Sequence, residues 1–264
     1  MLEMKTLGED LQSFRLRFDV LAKDSNDTLD HNSELEVLLD EYSKFILDEK
    51  HNNLWEQLSS ADSNKYSQLL SELRKTSAQC VARMEKYRAL RLLEGHDEGS
   101  GYFNNIESCI QQEFGCFEIS SNSKVLLIGS GSFPMTPLLI AKQTGAEVVG
   151  IDIDEEAVKL GRRVIEKLGS ELNVRLEQQS VEDLGYVSQA THIIFSSTVE
   201  KKYEILNELH ALTKNDVVAA MRYGNKLKSL FNYPMKNVNQ TKWRLVDNTV
   251  RPDQIFDIAL YEKA

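Results

Sequence analysis

Apolar residues in the first part of the chain recur three and four positions apart, the spacing of one buried face on an α-helix. Between Ser33 and Leu47 the repeat runs through Leu35, Leu38, Leu39, Tyr42 and Ile46. Ser33 and Glu36 have the spacing of a capping box at the start of that helix. A longer helix is predicted from about Ser63 to Leu93, with Leu69, Leu73, Cys80 and Met84 on one side. No proline precedes Pro134, so only loops interrupt these helices, at Asp24–Asn32 and at Gly95–Gly101. The second loop is rich in glycine and is the expected hinge.

From Lys124 the period changes. Short runs of Leu and β-branched residues, Val125–Ile128, Val148–Asp152, Asn173–Glu177, His192–Phe195 and Val217–Ala220, alternate with helical spacing in Thr136–Thr144, Glu155–Leu168 and Lys201–Leu212. Repeated β-α-β units imply a parallel sheet covered on both faces. Two further strands, Trp243–Val250 and Ile255–Tyr261, flank Arg251-Pro252-Asp253, a connection so short that they must pair antiparallel. The expected class is therefore α/β. A parallel sheet finished by an antiparallel pair resembles the class I methyltransferase fold, a Rossmann-like domain assigned to 118–264 and preceded by an all-α domain over 1–117.

The first strand of that domain ends at Ile128, and Gly129-Ser130-Gly131 makes the turn into a helix. Glycines there let the backbone approach a ligand, and the helix N-terminus presents N–H groups to it. The third glycine of the dinucleotide fingerprint is absent, and Pro134 stands in its place. A pyrophosphate is thereby disfavoured, and a nucleoside ligand without phosphate, such as S-adenosylmethionine, is favoured. Asp152 closes the second strand, where a carboxylate accepts hydrogen bonds from both ribose hydroxyls; Asp154 is the alternative. Ser180 and Val181, after the third strand, fall where this fold contacts adenine through a side chain and the next backbone N–H.

Composition narrows the partners. The net charge of −10 argues against nucleic acid, because neutralising phosphates needs clustered Lys and Arg. No apolar run approaches the ~20 residues of a membrane span, and the acidic, polar N-terminus does not read as a secretory signal. Three cysteines, Cys80, Cys109 and Cys116, lack paired spacing, so neither a disulfide framework nor a metal site is expected, and a reducing cytoplasm fits. A small-molecule substrate is the expectation, with the oligomeric state left between monomer and homodimer.

The loop Gly129-Ser130-Gly131-Ser132-Phe133-Pro134-Met135-Thr136 resembles that of the nicotianamine synthases, and above all their bacterial relatives that make opine metallophores of the staphylopine type. The likeness extends to Met84-Glu85-Lys86, Tyr102-Phe103-Asn104-Asn105, Arg222-Tyr223-Gly224 and Tyr233-Pro234. It implies transfer of the 3-amino-3-carboxypropyl (aminobutyrate) group of S-adenosylmethionine, a consumed co-substrate, to the amine of a small amino acid. The implied acceptor is histidine, with the D-enantiomer favoured, and the by-product is 5′-methylthioadenosine.

On that likeness Glu85 orients and deprotonates the acceptor amine; its plainer role is a surface acid paired with Arg88. Tyr102 hydrogen-bonds the acceptor or the methionyl end, or packs as a ring. Ile106 stands where plant and archaeal members carry a further tyrosine. Arg222, past a strand end, can clamp a carboxylate bidentately or pair with an acid of the protein. Ser196, with Ser197 and Thr198, faces the same crevice as a candidate substrate contact. His96 in the hinge loop reads more simply as solvated. Two rivals remain: a small-molecule N-methyltransferase with a helical lid, and a non-catalytic nucleoside-binding module.

Overall fold

The structure, a computed structural model, describes residues 2–23, 29–57, 60–96, 113 and 117–264. The chain divides into two compact units. The first comprises Met1–Met84 with Tyr223–Met235 and Arg251–Asp257; the second comprises Glu85–Arg222 with Lys236–Val250 and Ile258–Ala264. The division cuts the longest helix between Met84 and Glu85 rather than falling at 117/118, and two later segments return to the first unit.

Helices α1 (Leu2–Lys23), α2 (Leu29–Leu47), α3 (Glu49–Glu56) and the first part of α4 (Ser60–Glu94) build the first unit. Helix α2 begins at Leu29, four residues before Ser33. Ser33 therefore lies inside the helix and does not cap it. Asp48 is the N-cap that the periodicity alone did not mark: its side chain accepts the His51 N–H and starts α3. Leu35, Leu38, Leu39, Tyr42 and Ile46 are all buried, as their spacing predicts.

Tyr42 is the hub of this core. Its ring lies 5.0 Å from those of Phe14 and Phe18 and 5.8 Å from that of Phe231. Its hydroxyl donates to the Leu230 carbonyl at 3.1 Å, and burial keeps it neutral by pushing its pKa well up. Ser77 Oγ also reaches that carbonyl, at 3.4 Å. Because the acceptor keeps this second donor, Tyr42→Phe is expected to cost only about 0.5–1.5 kcal/mol, read as a lower urea midpoint with an unchanged m-value.

The second unit is built on a seven-stranded sheet of order β3-β2-β1-β4-β5-β7-β6. Its strands are β1 (Lys124–Ile128), β2 (Glu147–Ile151), β3 (Val174–Glu177), β4 (His192–Phe195), β5 (Val218–Tyr223), β6 (Trp243–Thr249) and β7 (Asp257–Lys263). β1 to β5 pair parallel, and β6 pairs antiparallel with β7 through a bulge at Leu245/Asp247. Every residue of β4 and β5 is buried, as befits inner strands covered on both faces. The edge strand β6 is mostly polar and exposed beyond Trp243, which protects it from pairing with other chains.

Helices α5 (Met135–Thr144), α6 (Glu155–Gly169) and α7 (Lys202–Leu212) follow β1, β2 and β4. The C-terminal end of α4 belongs to this unit for a packing reason. Ala89, Leu92 and Leu93 sit in one apolar cluster with Phe133, Leu138, Val158, Val164 and Leu176, and Lys167 Nζ donates to the Leu92 carbonyl at 2.5 Å. Glu85 and Lys86 are thereby fixed in the same unit as the glycine loop.

Candidate active site

The carboxyl ends of β1, β2 and β4 meet at the glycine loop. Gly129 and Ser130 both donate their N–H to the Ile151 carbonyl, at 2.9 and 3.0 Å, which folds the loop back over β2. Gly129 has φ +84° and Gly131 has φ +65°, a region that costs a side chain-bearing residue free energy. Space forbids a substituent at both as well. A Cβ at Gly129 would strike Val199 and Ser196, and one at Gly131 would overlap the Glu85 carboxylate. Ser130 is buried, and its side chain lies over Gly150, where a Cβ would collide with it. Pro134 occupies the N-cap of α5 with φ −79°, a position that needs no N–H.

Asp152 stands at the tip of β2, partly exposed. One carboxylate oxygen accepts the Gly131 N–H at 2.9 Å and the other accepts the Asp154 N–H at 3.1 Å. Each oxygen retains a lone pair for a further donor. Asp154 is committed elsewhere. Its carboxylate caps α6 by accepting from Glu156 and Ala157 N–H and pairs with Lys86 at 2.8 Å. Of the two aspartates, Asp152 is the one free to meet a diol.

Glu85 enters this loop from α4. Its carboxylate lies against Gly131 and accepts the Ser132 N–H. Burial pushes its pKa up to about 8, the nearby Asp152 carboxylate adds to the rise, and the Ser132 N–H and Arg88 guanidinium offset only part of it. The residue as a whole is only partly buried. A carboxyl with this pKa, beside a second carboxylate and a glycine turn, is equipped to exchange a proton near neutrality.

The other candidates fare differently. Ser196 lies beside Gly129, donates its N–H to Ile128 and holds its hydroxyl 3.4 Å from that of Thr198. Ser180 is exposed and closes a local turn, its hydroxyl donating to Asp183 at 2.7 Å, while the Val181 side chain is buried. Arg222 is not open to a ligand. It is 5% exposed, its Nε and Nη2 donate to the two oxygens of buried Glu113 at 2.6 and 2.8 Å, and its Nη1 donates to Thr136 at 3.2 Å. His96 is exposed and lies 3.9 Å from Glu94. Tyr102, Asn104 and Ile106 lie outside the described residues.

Two polar residues at the site carry no signal in the sequence. Lys202, fully buried at the start of α7, donates to the carbonyls of Ser197 at 3.2 Å and Arg222 at 2.7 Å, tying the end of β4 to the end of β5. Glu113 is 109 positions from Arg222 in sequence. Nothing in either residue's neighbours marks it as a partner. Ile153, immediately after Asp152, is 96% exposed, an apolar side chain left uncovered at the mouth of the site.

Residues 119–259 match a family described as a methyltransferase domain. L-histidine 2-aminobutanoyltransferase from Pseudomonas aeruginosa is 28% identical over 192 residues, covering 73% of each chain. The enzyme of the same name from Yersinia pestis is 30% identical over 196 residues, covering 73% of this chain and 72% of the relative. In fold, the chain is similar to a glutamate-to-glutamine variant of MtNAS, a nicotianamine synthase, with a TM-score of 0.77 over 97% of both chains at 18% identity. It is likewise similar to MtNAS in complex with MTA and tNA, with a TM-score of 0.74. Sequence identity across most of both chains, with a methyltransferase domain over residues 119–259, places the protein in the family of L-histidine 2-aminobutanoyltransferases.

Proposed function

We propose that this chain transfers the 3-amino-3-carboxypropyl group of S-adenosylmethionine to the amine of L-histidine, releasing 5′-methylthioadenosine, in the synthesis of an opine-type metallophore. The relatives are named for L-histidine, and that replaces the D-enantiomer favoured by the staphylopine likeness. The observation that carries the reading is Glu85, a carboxyl raised to about 8 and set against the glycine loop.

The residues present fit the co-substrate. The Asp152 carboxylate and the Glu85 carboxyl at the loop suit a cationic sulfonium better than a pyrophosphate. Asp152 offers both oxygens to the ribose hydroxyls, and exposed Ile153 beside it supports the flat face of a base. When bound, S-adenosylmethionine supplies an electrophilic γ-carbon and a neutral thioether leaving group: the amine nitrogen bonds to the γ-carbon, the carbon–sulfur pair leaves with sulfur, and one amine proton is released. Glu85 takes that proton. An ordinary carboxylate is too weak a base for an ammonium ion, whereas one matched to it near pH 8 transfers the proton with little penalty.

Ser196, against Gly129, is assigned to the substrate side, and Tyr102 to the acceptor or methionyl end. Arg222 supports the site from behind through Glu113 and Thr136. No helix among the described residues is long and apolar enough to cross a membrane. With a net charge of −10, a cytoplasmic enzyme acting on a free amino acid, without nucleic acid or membrane as partner, is the reading that fits.

Incubation with S-adenosylmethionine and L- or D-histidine, followed by mass spectrometry, tests it. Methylthioadenosine with histidine heavier by one aminobutyrate unit, faster for the L-enantiomer, is expected. S-adenosylhomocysteine with a methylated acceptor would instead identify an N-methyltransferase. Binding of the nucleoside without turnover on any acceptor would identify a non-catalytic module.

A further inference from the structure

Lys86 follows Glu85 on α4, and its ammonium group lies 2.8 Å from Asp154 Oδ2 and 2.7 Å from Glu156 Oε2. Burial alone would lower the Lys86 pKa, but the bonds to these two carboxylates outweigh it and raise it, while the same contact lowers that of Asp154. The pair is thus charged on both sides over the whole neutral range. Asp154 in turn gives its N–H to Asp152 Oδ1, and Gly131 gives its N–H to Asp152 Oδ2. Gly131 and Ser132 then meet the Glu85 carboxylate. The contacts close a ring: Lys86, Asp154, Asp152, the glycine loop, Glu85, and back along one peptide bond to Lys86.

We propose that Lys86 is a positioning residue, clamping α4 to the Asp152–Asp154 turn so that the Glu85 carboxylate is held at a fixed offset from the ribose-binding carboxylate of Asp152. The inference rests on the assignment of Glu85 and Asp152 to the reaction above. Ring closure is what gives the clamp its leverage. Asp152 orients itself on two backbone N–H groups and Glu85 on a third, while the packing of Ala89, Leu92 and Leu93 anchors α4 a turn or more beyond Glu85. Lys86 is a charged link that joins the helix carrying Glu85 to the turn carrying Asp152 within the ring. Misplacement by about 1 Å of a group that must lie in line costs up to ~100-fold in rate, so a clamp well short of the reacting atoms can govern turnover.

The test uses the full chain with Lys86→Met, Lys86→Arg, Asp154→Asn and the double variant Lys86→Met/Asp154→Asn. Asparagine caps helices as well as aspartate does, so Asp154→Asn removes the charge and spares α6. Lys86→Met is expected to lower kcat at saturating S-adenosylmethionine by about tenfold or more and to weaken S-adenosylmethionine binding, measured calorimetrically without acceptor, by about threefold to tenfold. Arginine, whose fork spans two carboxylates, should restore both to within about threefold. Asp154→Asn should act in the same direction, and the double variant should be no worse than Lys86→Met.

A lowered melting temperature with kcat and S-adenosylmethionine affinity both unchanged would reduce Lys86 to an ordinary stabilising ion pair and overturn the proposal. Losses that multiply in the double variant would overturn it too. If the native chain released no methylthioadenosine with histidine, the functional reading would fall by itself. The affinity measurement would then decide the clamp alone.

Discussion

Replacing Glu85 by glutamine is expected to lower kcat/KM for methylthioadenosine release by roughly 10²–10⁴-fold, the usual contribution of a positioned general base. The substitution keeps shape and the Ser132 hydrogen bond while removing the proton acceptor. In the native protein the carboxyl is protonated below about 8 and becomes a base above it, so kcat/KM should climb with pH through that value. The acceptor amine loses its own proton as pH rises, so part of the climb survives in the variant; the inflection belonging to Glu85 must vanish.

Stability moves in the opposite sense. Between 4.5, the ordinary value, and about 8 the folded chain holds a proton at Glu85 that the unfolded chain has released. The group's contribution to stability therefore falls as pH rises through that window. The glutamine variant should lose this slope and be relatively more stable at pH 8 than the native chain. A variant with native kcat/KM and an unaltered pH profile would remove Glu85 from proton transfer.

That prediction was half visible in the residues. The motif around Glu85 and the helical repeat through Met84 mark an acid on a long helix, and periodicity alone assigns that helix to the N-terminal domain. What it cannot carry is which core the helix end enters, because Ala89, Leu92 and Leu93 are apolar whichever unit they bury against. The strands are another matter. Alternating β and α periods fixed five parallel strands within a few residues, and the three-residue link around Pro252 required the antiparallel finish that β6 and β7 show.

The position of Asp152 at the strand tip was also legible, since strand alternation runs out at Ile151, whereas the N-cap role of Asp154 was not read from the sequence. Ser33 misled for a physical reason: a Ser and a Glu three apart are compatible with a capping box but do not forbid the helix from starting a turn earlier. Long-range polar partners were the blind spot. Glu113, Lys202 and Thr136 meet Arg222 only once the sheet has assembled.

Arg222 supplies the second large effect, on stability. Its side chain is 6% exposed and that of Glu113 is 1% exposed, and two hydrogen bonds join them in the fork geometry that arginine and carboxylate share. Arg222→Met strips buried Glu113 of its ion-pair partner among the described residues, and deprives Thr136 of a donor. Breaking a buried pair from one side costs about 3–5 kcal/mol, which for a chain of this size corresponds to a drop in melting temperature of roughly 6–20 °C.

Removing both charges should behave differently, because the penalty comes from the orphaned carboxylate more than from the lost attraction. The double variant Arg222→Met/Glu113→Leu should recover most of that loss, about 2 kcal/mol or more. A residue that clamps the carboxylate of a substrate predicts another pattern: a raised KM for histidine, native stability, and no rescue by the second substitution. Urea titration of the two variants beside their histidine KM values separates the buried latch from the clamp. The bidentate pair with Glu113 puts the weight on the latch.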